Sequence, residues 1–504
     1  MSGRSRKRSG YFRRITAMLH RFRTHLLLAL LALLCAQGWN RWNIAAMQAH
    51  PFARFNVRDG RALLATDDAS YLQDADRLLG ARADLESSRV QGPVLRAPGY
   101  GLFYLLPRLV LDPLPAVSAL VWMQCLLFAL SVALLWETLL RFHVAAWIRW
   151  TVILLLAVMP TFHGFLFHTL SEGVTPTLSL FLVCCALLDA VSARRRWLYA
   201  GLLVWSMLMF TRPALLWTGL ALLPGLLRLG MARAAVFSSL ALAPMLCWWI
   251  LNCVRANDVV SLHPVHWAGA PGIDRPVHGA FWELAKSWGA RGDDFHAAME
   301  TGYQAAIRCD TASRYADAFI ALAPEGMLSA ELETETRKAY HRWQRFNCEA
   351  LAPALVREQG TIPVTTRTEQ GILFTLEHVT KAWRAEHAFH HQVKVPLRVL
   401  KQLVAHSNLN LWMFQQTWRG QPAMEALRWF SAIVHASLLV AAALAFLFRV
   451  PLPMRVLSLG CALYLFYLAY VQRGVEERYT LPVLFIGVAC AAFGMAAEAQ
   501  RRRE

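Results

Sequence analysis

The chain has 504 residues, 56% of them apolar and 17% charged, and carries a formal net charge of +18. Soluble chains average roughly 45–50% apolar and about 25% charged, so the composition excludes an ordinary water-soluble protein, and its hydrophobicity excludes intrinsic disorder. The charge by itself points to nucleic acid or to an anionic membrane, and its distribution along the chain decides between them.

A helix needs roughly 20 largely apolar residues to cross a bilayer. Ten stretches read as spans: near 26–46, 115–136, 146–163, 172–190, 197–211, 213–228, 234–251, 429–448, 454–471 and 479–497. The fifth and sixth are short and joined by Thr211-Arg212-Pro213, so they read either as two spans with a tight turn or as one broken pair. Residues 98–111 are apolar but too short, contain Pro107 and Arg108, and read as interfacial or re-entrant. Residues 1–40 also have the basic region and apolar core of a signal peptide. No clean small-x-small site follows, Cys35 is preceded by Leu34, and Trp39 and Trp42 suit interfacial anchors, which favours a retained first span.

The expected organisation is a basic cytoplasmic tail over 1–25 and a transmembrane core over 26–251 with a first outer loop at 47–114. A large outer loop over 252–428 follows, then C-terminal spans and a basic tail over 429–504. With ten spans the cations sort to one side: Arg4, Arg6, Lys7, Arg8, Arg13, Arg14, Arg21 and Arg23, then Arg141/Arg149, Arg194–Arg196, Arg228/Arg233, Arg449/Arg455 and Arg501–Arg503. By the positive-inside rule that side is cytoplasmic, as are both termini, and it holds about +16 of the net charge. The charge therefore reports topology, and nucleic acid is excluded as the reason for it.

The large outer loop reads as mainly helical over Ala280–Trp288, Phe295–Ala306, Arg314–Leu322, Ser329–Ala350 and Thr368–His391, with Leu332, Tyr340, Trp343 and Phe346 at helical spacing. Val393–Trp418 mixes Leu, Trp and Phe with Lys394, Arg398 and Lys401 and resembles an amphipathic helix lying on the membrane. Cys309 and Cys348 both fall in this loop, where an oxidising compartment permits a bridge. Cys125, Cys184, Cys185, Cys247, Cys461 and Cys490 sit in spans and read as small buried residues. His263/His266 and His387/His390/His391 only weakly match metal-site spacing, and they read as solvated or core histidines.

Several polar groups fall at the outer membrane face. In the first outer loop stands Thr66-Asp67-Asp68-Ala69-Ser70-Tyr71. This is a helix N-terminus capped by Thr66, or a carboxylate pair that supplies a general base or holds a metal ion. Arg96-Ala97-Pro98-Gly99-Tyr100 offers either a headgroup anchor or a phosphate grip. His168 and Glu172, four residues apart, would share a helix face at the opening of the fourth span. A carboxylate at a span's edge is costly unless paired or facing an aqueous cavity. Arg212, Asn252, Arg255 and Glu476-Glu477-Arg478-Tyr479 reach the same face. Mid-membrane charges of the kind that mark ion relays are missing from the sequence.

Taken together these residues resemble the GT-C membrane glycosyltransferases, with closest similarity to bacterial relatives of the dolichyl-phosphate-mannose protein mannosyltransferases and the lipid A aminoarabinose transferases. The similarity rests on Asp67-Asp68-Ala69-Ser70-Tyr71 with Ala75, Arg96 through Phe103, Ser171-Glu172, Thr211-Arg212-Pro213 and Glu477-Arg478-Tyr479-Thr480-Leu481-Pro482. It covers about residues 20–255 and 390–500. The usual turn after the basic residue has two prolines, whereas here Ala97 and Gly99 flank Pro98 alone, and loop 256–390 matches nothing in the family.

The resemblance implies inverting transfer of a sugar from a polyprenyl-phosphate donor to an acceptor glycan, lipid A or protein outside the inner membrane of a bacterium. Asp67 and Asp68 would then be catalytic, and Arg96, Arg212 and Arg478 would bind the donor phosphate. Glu172, Arg255, Tyr100 and Glu477 would support them. Metal dependence varies within the family; Asp68 or Glu172 is where a divalent cation would sit. Two other readings compete: a transporter or flippase of lipid-linked sugars, which calls for inverted repeats and broken mid-membrane helices, and an O-antigen-ligase-like enzyme using His406 and Arg419.

Overall fold

The computed structural model describes residues 3–50, 57–58, 60–62, 71–72, 75–76, 78–80, 97–192, 195–256, 275–353, 366–405, 414, 420–473 and 477–502; for 3–21, 58, 62, 255–256 and 477 it describes the backbone alone. Nearly all of this is helix. The exception is a two-residue antiparallel pair, β1 (Val57–Arg58) with β2 (Arg61–Ala62), turned at Gly60.

Among the described residues, six helices are long and apolar enough to cross a membrane: Phe22–Ala49, Pro113–Arg141, Met231–Val254, Pro422–Leu447, Leu452–Gln472 and Arg478–Arg501. The first belongs to α1 (Gly3–Ala49), which packs along α3 (Pro113–Arg141). Between them α2 (Gly99–Arg108) is amphipathic: Tyr100, Tyr104 and Pro107 are buried while Leu102 and Leu106 are exposed. Its apolar outer face and short length are those of an interfacial helix.

Four further apolar segments are shorter. They are α4 (Ala146–Val158), α5 (Thr175–Val191), α6 (Arg196–Thr211) and a composite of a 3-10 helix (Pro213–Leu222) with α7 (Leu223–Leu227). A 3-10 helix rises ≈ 2.0 Å per residue against 1.5 Å for an α-helix. The composite therefore reaches about 27 Å, close to the ≈ 30 Å hydrocarbon thickness. Residues 197–228 form two antiparallel elements, separated at Arg212 by the extended backbone that a following proline enforces. Trp205 locks them together by donating to the Leu216 carbonyl at 3.0 Å.

Helix α5 is apolar on all sides and is buried along nearly its whole length. Around it pack α3, α6 and the two C-terminal helices α16 (Leu452–Tyr467) and α17 (Leu481–Arg501). An ion pair closes each end. Glu172 meets Arg212 just before its first residue, and Asp189 meets Arg228 in its last turn. From Thr175 to Asp189 the helix rises about 21 Å between these two pairs.

Helix α8 (Met231–Ala256) runs beyond its apolar stretch, and Asn252 and Arg255 lie within its last turns.

The large loop folds into its own helical unit: α9 (Pro276–Trp288), α10 (Gly292–Ile307), α11 (Ser313–Ile320), α12 (Ala330–Phe346) and α13 (Arg367–Glu386). Its core is aromatic, with Phe281, Phe319, Tyr340 and Trp343 in edge and stacked contacts. Ser329 caps α12, and Thr366 with Glu369 forms a capping box on α13. Arg275 also bonds Glu369, with Nη2 2.6 Å from Oε2 in a fully buried pair, which ties the first and last helices of the unit together. A disulfide joins Cys309 to Cys348, with Cα atoms 4.9 Å apart. After a π-helical turn (His390–Lys394), α14 (Val395–Val404) returns the chain towards α15 (Pro422–Leu444).

Candidate functional site

Segments from three parts of the chain meet at one end of the helix bundle. A 3-10 turn (Ser171–Gly173) enters α5, the extended Arg212 separates α6 from the following 3-10 helix, and a second 3-10 turn (Glu477–Thr480) enters α17. The expected shared helix face of His168 and Glu172 is absent. Residues 163–170 are turns, and α5 starts only at Thr175, because Pro160, Gly164 and Gly173 interrupt the helical ladder and Pro176 starts it anew.

Glu172 is the centre of the cluster and is 4% exposed. Arg212 Nη1 donates to its Oε1 at 2.6 Å, Arg478 Nε lies 3.6 Å from the same oxygen, and Ser171 Oγ donates to Oε2 at 3.0 Å. Both guanidinium groups also face the Tyr479 ring, at 4.8 Å from Arg212 and 5.7 Å from Arg478. Tyr71 and Tyr464 also stand near enough to Arg212 to interact with its charge. Tyr464 donates to the Tyr479 carbonyl at 3.3 Å and stacks on Trp217 at 5.1 Å. Two guanidinium groups are thus held by one carboxylate against an aromatic face, leaving a net positive charge at this end of the bundle; planar multi-donor cations are of the kind that suit phosphate and carboxylate.

The first outer loop enters through α2. Tyr100 donates to Gln124 Oε1 at 3.0 Å and meets Tyr71 edge-on at 5.6 Å. A Cβ on Gly99 would stand 2.5 Å from the Phe210 backbone, so only glycine lets α2 abut the last turn of α6 beside Arg212. Gln124 spends its amide on the carbonyls of Leu166 and His168, both at 3.0 Å, and so pins the turns that precede Glu172. A Cβ on Gly173 would lie 2.0 Å from Gln124 Oε1. Behind Glu172 a small cavity includes the Thr161 and Thr177 hydroxyls, both buried without a hydrogen-bond partner among the described residues.

Of the residues singled out in the sequence, Glu172, Arg212 and Arg478 come together, and Tyr100 supports them from α2. Asp67, Asp68 and Arg96 lie outside the described residues, as do His263, His266, His406, Arg419 and the side chains of Arg255 and Glu477. His390 and His391 are buried at the junction of the loop unit with the bundle, and His390 Nε2 pairs with the Trp288 carbonyl at 3.1 Å. No group of three His, Cys, Asp or Glu that would hold a metal occurs among the described residues. The sequence reading passed over Gln124, Trp217, Tyr464 and the buried His435, which pairs with Thr480 Oγ1 at 3.3 Å. A polar side chain inside an apolar span was the available signal for Gln124 and His435.

None of the family models, curated proteins and solved structures compared with the chain matches it.

Proposed function

We propose that the chain is an inverting GT-C-type glycosyltransferase that moves a sugar from a polyprenyl-phosphate donor to an acceptor outside the inner membrane of a bacterium. The observation that carries this reading is the convergence of Arg212 and Arg478 on Glu172 and Tyr479 at one end of the bundle. On this reading the two guanidinium groups, with Arg96, hold the donor phosphate. Asp67 removes the proton from the acceptor hydroxyl as its oxygen attacks the anomeric carbon, and Asp68 positions the acceptor. The carbon–oxygen bond to phosphate breaks, and polyprenyl phosphate leaves with the bond's electron pair. Preorganised cations at the developing charge favour that departure. Glu172 sets the spacing of the guanidinium groups, and Trp217, Tyr464 and Tyr479 line the wall beside them. Tyr71, three residues after Asp68 in the sequence, interacts with the Arg212 charge and meets Tyr100 of α2 edge-on.

The proposed topology has ten spans with both termini in the cytoplasm and the site facing the periplasm. It is supported by the ion pairs at the two ends of α5 and by the lengthening of Pro213–Leu222 into a 3-10 helix.

The test is sugar transfer from a radiolabelled polyprenyl-phosphate sugar to membrane acceptors. Asp67→Asn is expected to lower transfer by 10²-fold or more, at about the scale of a lost general base. Wild-type transfer by both Asp67→Asn and Asp68→Asn would overturn the assignment. Movement of intact lipid-linked sugar across the bilayer without transfer would favour the flippase reading instead.

A further inference from the structure

Helix α14 has three distinct faces. Val395, Val399 and Leu403 are buried against the π-helical end of α16 (Leu468–Gln472), the start of α15 and the Glu477–Thr480 turn. The helix therefore lies across the ends of two membrane-crossing helices, on the face that carries Arg478. Leu397 and Leu400, with Phe389 one turn before the helix, are exposed. Trp429 and Phe430 of α15 and Phe466 of α16 are exposed as well, aromatic residues of the kind that mark a membrane–water interface.

The third face is cationic. Lys394, Arg398 and Lys401 stand at i, i+4 and i+7, all exposed, so they form one line along the helix. Lys394 Nζ lies 5.8 Å from the Phe389 ring. No ion pair joins these three cations to an acid among the described residues. The sequence from 387 to 424 contains neither Asp nor Glu. Like charges one turn apart repel, and an apolar stripe beside a cationic line is the pattern by which interfacial helices bind anionic lipid surfaces.

We propose that α14 is an anionic-phospholipid binding surface, with Phe389, Leu397 and Leu400 in the acyl boundary and Lys394, Arg398 and Lys401 on headgroup phosphates. This surface shares no residue with the Glu172 cluster and does not depend on the activity proposed for it. By its contacts with Leu468–Gln472 and the Glu477–Thr480 turn, it would fix the base of the segment that carries Arg478 to the lipid surface.

The test uses the full chain in neutral detergent, offered equal amounts of phosphatidylglycerol and phosphatidylcholine with identical acyl chains, with retained lipid counted by native mass spectrometry. The expected preference for phosphatidylglycerol is about tenfold or more, as three cations at an anionic surface allow. It should fall to parity in the Lys394→Gln/Arg398→Gln/Lys401→Gln variant. It should persist in Lys394→Arg/Arg398→Lys/Lys401→Arg and in Arg212→Gln. Parity in the wild-type chain overturns the proposal, whether or not the neutral variant folds. So does a preference that survives in the folded neutral variant, one that disappears in a folded Arg212→Gln variant, or one abolished by inorganic phosphate, which would mark a free-phosphate site.

Discussion

The Arg212 guanidinium donates to the Glu172 carboxylate across 2.6 Å, and this contact joins the entry of α5 to the turn that ends α6. Both groups are largely withdrawn from solvent, with side chains 16% and 4% exposed. Removing one member of such a pair leaves its partner desolvated and uncompensated, which costs about 3–5 kcal/mol when burial is complete. The contact is thus a structural clamp as well as part of the candidate site.

Glu172→Gln should therefore lower thermal stability in detergent and separate Arg212 from Arg478, whose charges would then face each other unshielded. Arg212→Lys keeps the charge but loses the planar fork. It should retain most of the stability and lose at least about tenfold in donor use, because one point charge replaces a multi-donor grip. Equal donor titrations for Arg212→Lys and wild type would place the oxyanion elsewhere.

Gly99→Ala tests how the first outer loop is seated. The added methyl meets the backbone of Phe210 and Thr211 at 2.5 and 2.6 Å, and backbone cannot rotate away as a side chain can. A loss of about 1–3 kcal/mol is expected from the overpacking. The Tyr71–Arg212 proximity should be lost with it, read as protease or hydrogen-exchange sensitivity of residues 97–108. Wild-type protection would mean that α2 approaches α6 less closely than described.

Topology is tested at two exposed positions. With α6 and the Pro213–Leu227 composite both crossing, Ala214 and Gly230 face opposite sides of the membrane. If only the six long apolar helices cross, both positions face the same side. Reporter fusions or cysteine labelling at 214 and 230 should give opposite accessibility.

The Cys309–Cys348 bridge closes a segment with a sequence separation of 39. Loop-closure entropy for a segment of that length gives about 4 kcal/mol. The Cys309→Ser/Cys348→Ser variant should lower the melting temperature of the loop unit and remove its sensitivity to reductant. An unchanged melting curve on reduction of the wild type would show that the aromatic core suffices.

The loop unit should also be acid-sensitive. Burial pushes the His278 imidazole down to about 3, against about 6.5 in an unfolded chain. The unfolded state then binds the proton more readily, so this contribution to stability is complete above about pH 6.5 and is lost as pH falls from there towards 3, by at most about 1.4 kcal/mol per pH unit. His391 acts with the same sign: burial first, then the Arg473 charge, bring it to about 4. His278→Leu should flatten the dependence of melting temperature on pH without abolishing it. A slope identical to wild type would mean that His278 is not desolvated.

The sequence by itself determined the apolar segments and the helices of the large loop. Hydrophobic runs, helical spacing and the punctuation of Pro213 and Ser329 are local signals, and each acts within a few residues of itself. It misplaced His168 and Glu172 onto one helix face, because the interruption there comes from several prolines and glycines acting jointly. Only the tertiary structure decided that Glu172, Arg212 and Arg478 share one carboxylate oxygen, that Gly99 lets α2 reach Arg212, and that Gln124 pins the turn before Glu172. Those contacts join residues tens to hundreds of positions apart, and no local periodicity encodes which buried polar groups will find each other when helices of similar composition pack.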